Sequence, residues 1–437
     1  MSIPVVTVGH ARADLVGGLE RLHGPVSVVR RCGELAELLA ACQSGLARAA
    51  VVADGSEELT ASLVDRLSAV GVAVVALADR PEEVARLRGI GVAAELPGVD
   101  PAALAGTIIG AVAQLGGAAR LPAPGADLGF DGAGPALRPA RVPAAEMPPR
   151  PGSGEIIAVW GPAGSPGRTF VAANIAGELA ATGRSVLLVD ADSYSASVAG
   201  VLGLLDEAAG LAQACRLADQ GLLDVDALRR IATPVSTKAG TFLVLTGITR
   251  ADRWTELRAA ALSLVLDRAR ELADVTVIDT GFCLEADEEL SFDTMAPRRN
   301  AATLRSLEVA DTVFAVGAAD SIGVPRLVRG LAQLEAAVPQ AAPRVVMNKV
   351  RSAAVGRSPE RQLRDAWERY GPGSALSAFL PADPSAADAA LLAGSLLLET
   401  APDSPLRRAI ADLVCAAGQR KGKSSVFSST AKLRSKG

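Results

Sequence analysis

Two stretches of strand–helix alternation, split once by a proline-rich interruption, constrain this chain more than any other feature. In residues 1–116 the short apolar runs "PVVTVG", "VSVVRR", "AAVVADG", "VAVVALA" and "VAAELPG" are separated by helical patterns such as "GELAELLAACQ" and "PEEVARLRGIG". Strands that alternate with helices pair in parallel, because each crossover helix returns the chain to the same end of the sheet. From Glu155 to about residue 417 the alternation resumes on a larger scale. The strand candidates there are "EIIAVWG", "SVLLVDAD", "GTFLVLTG", "DVTVIDTG", "DTVFAVGA", "PRVVMNKV" and "ALSAFLP", with long helices expected over Phe170–Thr182 and Trp254–Ala273.

The pattern predicts an α/β protein of two domains. Residues 1–116, five strand–helix units with a closing helix from Pro101 to Leu115, fit a small doubly wound, flavodoxin-like domain. Residues 117–154 carry eight prolines on an Ala/Gly/Arg background without periodicity, the composition of a linker. Residues 155–417 fit a larger, mostly parallel sheet, and 418–437 a basic, Ser-rich tail.

Composition narrows the functional classes. A formal net charge of −4 gives no global reason to expect a nucleic-acid partner. The tail is locally basic (Arg420, Lys421, Lys423, Lys432, Arg434, Lys436), but its sparse apolar content predicts at most weak membrane contact. Five scattered cysteines without a CxxC pair, and two histidines, His10 and His23, argue against a disulfide framework and a zinc site. No apolar run approaches the ~20 residues of a membrane span. The N-terminal "MSIPVVTVGHARADL" lacks the pattern of a signal peptide, so a cytoplasmic location is expected.

The stretch "WGPAGSPGRTF" (Trp160–Phe170) falls between a strand and a helix, where unpaired N–H groups and the helix dipole bind phosphate. Gly164 and Gly167 permit close backbone approach, Ser165 and Pro166 lie between them, and Phe170 continues into the helix. Pro166 removes one N–H from the cradle. Arg168 keeps a positive charge where a phosphate loop has lysine, as a planar fork instead of an ammonium. Thr169 is placed to offer a hydroxyl to Mg²⁺. "VLLVDAD" and "VTVIDTG" each end in aspartate, so Asp190, Asp192 and Asp279 are expected near the loop. There Asp190 and Asp279 are candidates to hold Mg²⁺ and Asp192 to orient a water. Each aspartate, taken alone, is equally a helix N-cap. Arg298, Arg299 and Asn300 are candidates for facing a nucleotide or capping a helix.

The order of a strand, "AGSPGRT", the helix "FVAANIAGELAATG" and "VLLVDAD" resembles the deviant Walker A ATPases of the MinD/ParA type, over about residues 155–415. The resemblance implies bound ATP or ADP with Mg²⁺, Asp279 as the Walker B acid, and Asn348 of "VVMNKV" at the adenine. It also implies that Pro381 and Asp383 of "LPADPSAADAALLAG" close over the base. The family's first loop lysine falls on Ala163 and its second on Arg168, so the resemblance implies slow hydrolysis or none. An active ATPase that uses Arg168, a nucleotide-independent scaffold and a DNA-partitioning ATPase remain as alternatives.

A receiver-like first domain, a linker and a MinD-like second domain together resemble the CpaE/TadZ proteins. "GLLDEAAGLAQACR" and "DTGFCLEADEELSFDTMAPRRNAATL" are similar to their actinobacterial septum-site-determining branch. That resemblance implies protein partners in a polar or septal assembly machinery, pilus or division, and a homodimer. Asp54 stands where a receiver's phospho-acceptor would be. Gly9-His10-Ala11 and Glu95-Leu96-Pro97 replace the acidic pair and the lysine, which implies a pseudo-receiver.

Overall fold

The computed structural model describes residues 2–9, 13–22, 24–96, 98–118, 154–204, 208–286 and 297–415. His10, His23, Pro97, most of the proline-rich stretch and the basic tail lie outside them. The chain divides into two compact units, residues 1–59 with 63–153, and residues 60–62 with 154–437.

The first unit holds strands β1 (Ile3–Val8), β2 (Val26–Cys32), β3 (Ala49–Val52), β4 (Ala73–Leu77) and β5 (Ala93–Glu95). Helices α1 (Ala13–Arg21), α2 (Leu35–Gln43), α3 (Ala61–Ala69), α4 (Pro81–Gly89) and α5 (Pro101–Ala118) follow them in turn. All five strands are parallel, in the order β2-β1-β3-β4-β5, the flavodoxin order. β3 and β4 are buried along their whole length, as expected of strands covered on both faces. Glu95, at the end of β5, accepts a hydrogen bond from Thr107 Oγ1 of α5 at 3.0 Å.

The second unit contains strands β6 (Glu155–Trp160), β7 (Val186–Ala191), β8 (Thr233–Thr237), β9 (Gly240–Leu245), β10 (Val275–Thr280), β11 (Thr312–Ala318), β12 (Pro343–Val350) and β13 (Leu376–Pro381). They form one sheet in the order β13-β12-β11-β6-β10-β7-β9-β8, parallel except for β8 against β9. The helices are α6 (Arg168–Ala181), α7 (Val198–Val201), α8 (Gly210–Asp219), α9 (Val225–Ile231), α10 (Ala259–Leu272), α11 (Ala301–Val309), α12 (Gly323–Ala337), α13 (Ser352–Val355), α14 (Pro359–Tyr370), α15 (Pro384–Ala393) and α16 (Leu397–Thr400), followed by helical residues 405–415.

Successive residues of a strand point to opposite faces, and β6 shows both in use. Ile157 and Val159 join a core with α6, α15 and the C-terminal helix, whereas Ala158 and Trp160 pack with Leu327 and Leu331 of α12. Burial on both faces goes with mostly apolar inner strands, as in "VLLVDA" and "EIIAVW". α6 packs closely against the segment before α16: a Cβ on Gly177 would lie 2.3 Å from Leu396 Cδ1. Asn174 Oδ1 accepts from Leu397 N at 2.9 Å across the same contact.

Three expectations are corrected. β8 is an additional strand, an antiparallel edge whose residues are mostly exposed and which contains Pro234, a residue tolerated at sheet edges. The helix expected from Trp254 instead opens with a 3₁₀ turn over Ala251–Glu256; an extended Arg258 then separates it from α10, which begins at Ala259. Gly154, expected in the linker, already belongs to the second unit, its N–H donating to Arg270 O at 2.8 Å.

Glu178 of α6 is buried and accepts a forked pair of bonds from Arg407, 2.6 and 2.8 Å long. Removing one partner of such a pair strands a buried charge. Arg407→Ala is therefore expected to lower the unfolding free energy of the second unit by about 3 kcal/mol in a urea titration. Arg408→Ala, which loses only an exposed bond to Asp403 O, should change it by less than about 0.5 kcal/mol.

Candidate functional site

β6 lies in the interior of the sheet, between β11 and β10, and the chain leaves its carboxyl end into the loop at 161–167 before entering α6. The loop's path needs left-handed backbone at Gly164 (φ 109°), Ser165 (φ 51°) and Gly167 (φ 96°), and Gly167 is the N-cap of α6. Two of the three are glycines, the residue that adopts this region at least cost. A Cβ on Gly167 would come within 2.5 Å of Asn348 Nδ2, so the loop and β12 touch there.

The loop is tied down from inside and outside. Arg168 Nη1 donates to Gly161 O at 2.8 Å, and Nη2 to Asp192 Oδ2 at 3.3 Å, in a pair whose side chains are 11% and 2% exposed. The guanidinium thus curls back onto its own loop. From β12, Asn348 Nδ2 donates to Pro166 O at 2.8 Å and Lys349 Nζ to Ser165 O at 2.9 Å. Pro166 is buried, whereas Ala163, Gly164 and Ser165 are exposed.

Beyond the loop opens a cavity of about 600 Å³. It is lined by Ser165, Pro166, Gly167, Arg168, Thr169 and Phe170, and by Asp192, Asn348, Pro381 and Asp383. Nearly every residue singled out in the sequence for nucleotide contact therefore meets at one place, drawn from four separate segments. Gly164 stands in the loop outside the lining, against Arg326 of α12. The Asp383 carboxylate caps α15 through Ala386 N and accepts from Ser404 Oγ at 2.7 Å, which holds it below the usual carboxylate range.

The three aspartates divide their work. Asp190 and Asp279 are register partners on β7 and β10, and both are buried. Asp190 accepts from the backbone N–H groups of Asp192, Ser197 and Val198 at 3.2, 2.9 and 2.9 Å. It therefore holds the turn into α7, and the metal role expected of it does not fit a carboxylate already occupied. Asp192 likewise does not stand free to orient a water: Oδ1 accepts from Tyr194 N and Ser195 N, and Oδ2 from Arg168. Asp279 is the exception, with neither carboxylate oxygen hydrogen-bonded within the described residues. Burial, and then the charge of Asp190, push its carboxyl well above the usual range; the Thr169 hydroxyl stands near enough to ease this without closing a bond.

A buried, unmatched carboxylate beside a threonine hydroxyl at the head of a loop fits a hard cation with few protein ligands. Among the described residues no three Asp, Glu, His or Cys side chains are placed to hold a metal ion together, so such an ion would complete its shell with other oxygens.

Sequence reasoning missed Lys349 and Arg351, which also line the cavity. The one available signal was their nearness to Asn348 at a strand end. Arg299 and Asn300 do not line the cavity: Arg299 lies 4.3 Å over the Tyr194 ring, and Asn300 takes the capping alternative as the N-cap residue of α11, with its Oδ1 accepting from the Tyr194 hydroxyl at 2.9 Å and not from the helix.

Residues 157–393 match the family model described as the CobQ/CobB/MinD/ParA nucleotide binding domain. The chain belongs to that family. Its second unit is a MinD/ParA-type nucleotide-binding domain. Among solved structures it is similar to a ParA family ATPase from Chlorobium tepidum at 18% identity, with 60% of this chain and 98% of that one covered and a TM-score of 0.49. It is similar to the cell division ATPase MinD of Pyrococcus furiosus at 22% identity, with 61% and 99% covered and a TM-score of 0.46. The septum site-determining protein MinD of Pyrococcus horikoshii, complexed with Mg-ADP, is 20% identical, with 61% and 97% covered and a TM-score of 0.47. Curated proteins give no significant match. No described helix is long and apolar enough to cross a membrane.

The buried acids make a pH prediction. Burial pushes Asp190 up to about 7, and burial followed by the charge of Asp190 pushes Asp279 well above the usual range. A carboxyl whose folded value exceeds its unfolded one, about 4, adds stability that is complete below that unfolded value and lost as pH rises through the folded one. In EDTA, Asp279→Asn removes one of the two charges. Its melting temperature should exceed that of the native chain by a margin that widens from pH 5.5 to 8. A constant or negative margin in thermal denaturation would contradict this assignment.

Proposed function

We propose that this family member binds ATP or ADP with Mg²⁺ in the cavity beyond the 161–167 loop and turns ATP over slowly or not at all. The observation that supports it most is the convergence of the Ser165–Phe170 backbone with Asn348, Pro381 and Asp383 around one cavity at the carboxyl edge of a parallel sheet. Phosphates would lie against the N-terminus of α6, and Mg²⁺ would be held by Thr169 and Asp279. Weak turnover follows from the side chains present. Ala163 offers no charge, Arg168 is neutralised by Asp192, and Asp192 is occupied by two backbone N–H groups. Positive groups aimed at developing charge account for orders of magnitude in rate.

In its biological role we place the chain with CpaE/TadZ-like proteins of the septum-site-determining branch. It would be a cytoplasmic positioning factor, recruited to a pole or septum through protein contacts and able to form a homodimer. The first unit would be a pseudo-receiver used for docking or dimerisation, joined to the second by the linker at 117–154. The motif resemblance and the family membership support this reading.

Thermal denaturation and phosphate release test the site together. Saturating Mg-ADP and Mg-ATP should each raise the melting temperature by several degrees, since a ligand at 100 times its Kd adds about 2.7 kcal/mol. Thr169→Ala should abolish the Mg²⁺-dependent part. Phosphate release should stay near background. Turnover that is lost in Asp192→Ala would favour the active-ATPase reading. No thermal shift with any nucleotide would leave the scaffold reading.

A further inference from the structure

A second element, β12, does for this loop what its own side chains do not. Asn348 and Lys349, consecutive in sequence, donate to the consecutive loop carbonyls of Pro166 and Ser165, at 2.8 and 2.9 Å. Lys349 and Ser165 are also the two residues other than glycine with left-handed backbone among the described residues, at φ 60° and φ 51°. Each such residue costs energy that its surroundings must hold in place, and here the two strained residues hold each other. The Asn348 side chain adds to the clamp by accepting from Lys349 N at 2.8 Å, which fixes the turn that carries the lysine.

The charge distribution points the same way. Of the three cations that line the cavity, Arg168 is paired with a buried carboxylate and Arg351 donates to the Lys349 carbonyl, whereas Lys349 is exposed and its ammonium rests on the Ser165 carbonyl. An ammonium has three donors, and one of them is used on Ser165. With its carbonyl held toward β12, the Pro166–Gly167 peptide turns the Gly167 N–H to the opposite side, where an anion can take it; the Ser165–Pro166 peptide has no N–H, and its tie to Lys349 fixes the path of the loop.

We propose that Lys349 is a positioning residue for the phosphates. From outside the loop it presets the backbone that binds them, and it brings to that edge the ammonium charge which Ala163 and Arg168 do not supply. The inference rests on the nucleotide reading of the same cavity. The role is distinct from base recognition, so its effect should scale with the phosphate chain and be absent for a nucleoside.

The test measures equilibrium binding of ATP, ADP and adenosine, with Mg²⁺, to the full chain and two variants. Lys349→Asn removes the charge with a residue that tolerates left-handed backbone, which preserves the fold; unchanged circular dichroism and melting temperature confirm this. Lys349→Arg restores a cation. Expected is a tenfold or greater loss of ATP and ADP affinity in Lys349→Asn, a Kd for Lys349→Arg within about threefold of the native chain, and adenosine binding unaltered in both. Nucleotide affinity in Lys349→Asn within twofold of the native chain overturns the assignment while leaving the nucleotide site intact. An equal loss for adenosine also overturns it, because the lysine then acts on the base. A native chain that binds none of the three overturns both the assignment and the nucleotide reading.

Discussion

The buried pair of Arg168 and Asp192 is the interaction on which the site is organised. It joins the first residue of α6 to the turn after β7, and the same guanidinium holds Gly161 O at the other end of the loop. An ion pair this enclosed is costly to break, because either partner alone would be a stranded charge. A loop built around it keeps one shape, with Gly164, Ser165 and Gly167 in left-handed backbone. The pairing also occupies the two groups that the active-ATPase reading would need for hydrolysis, Arg168 and Asp192.

Beneath the loop the sheet carries a second unresolved demand. Parallel register places Asp279 beside Asp190 with both side chains buried, and of the two only Asp190 is satisfied by backbone N–H groups. Folded structures seldom keep a buried carboxylate without partners unless the position serves a ligand. The stability given up there is the counterpart of affinity for a cation. Thr169, at the start of the neighbouring helix, is the side chain within reach to share it.

Most of the architecture was legible from the residues because inner strands of a parallel sheet are apolar on both faces. "VLLVDA" and "VTVIDT" could hardly be anything but buried strands that end in acid. The cavity lining was legible for a related reason: ligands bind beyond the carboxyl ends of such strands, so motifs at strand ends converge. What escaped was set by tertiary contact. "TPVST" has too little apolar content to show itself and becomes a strand by pairing with β9. Trp254 has a helical neighbourhood, but the extended backbone at Arg258 delays the helix to Ala259. Asp190, Asp192 and Asp279 look alike in sequence and differ in what reaches them: three backbone N–H groups, two with a guanidinium, and none. Lys349 read as an ordinary polar residue at a strand end, since nothing local tells that its ammonium arrives at a carbonyl more than 180 residues earlier.

The account stands on nucleotide phosphates lying against the backbone of one loop, so amide hydrogen exchange of the full chain with and without Mg-ATP tests it most directly. Protection is predicted to rise in peptides that cover 163–171, 346–351 and 381–387, and to stay unchanged along α8, α9 and α10 on the opposite side of the sheet. Exchange that is unaltered around the loop, or protection confined to segments away from these three, would contradict it.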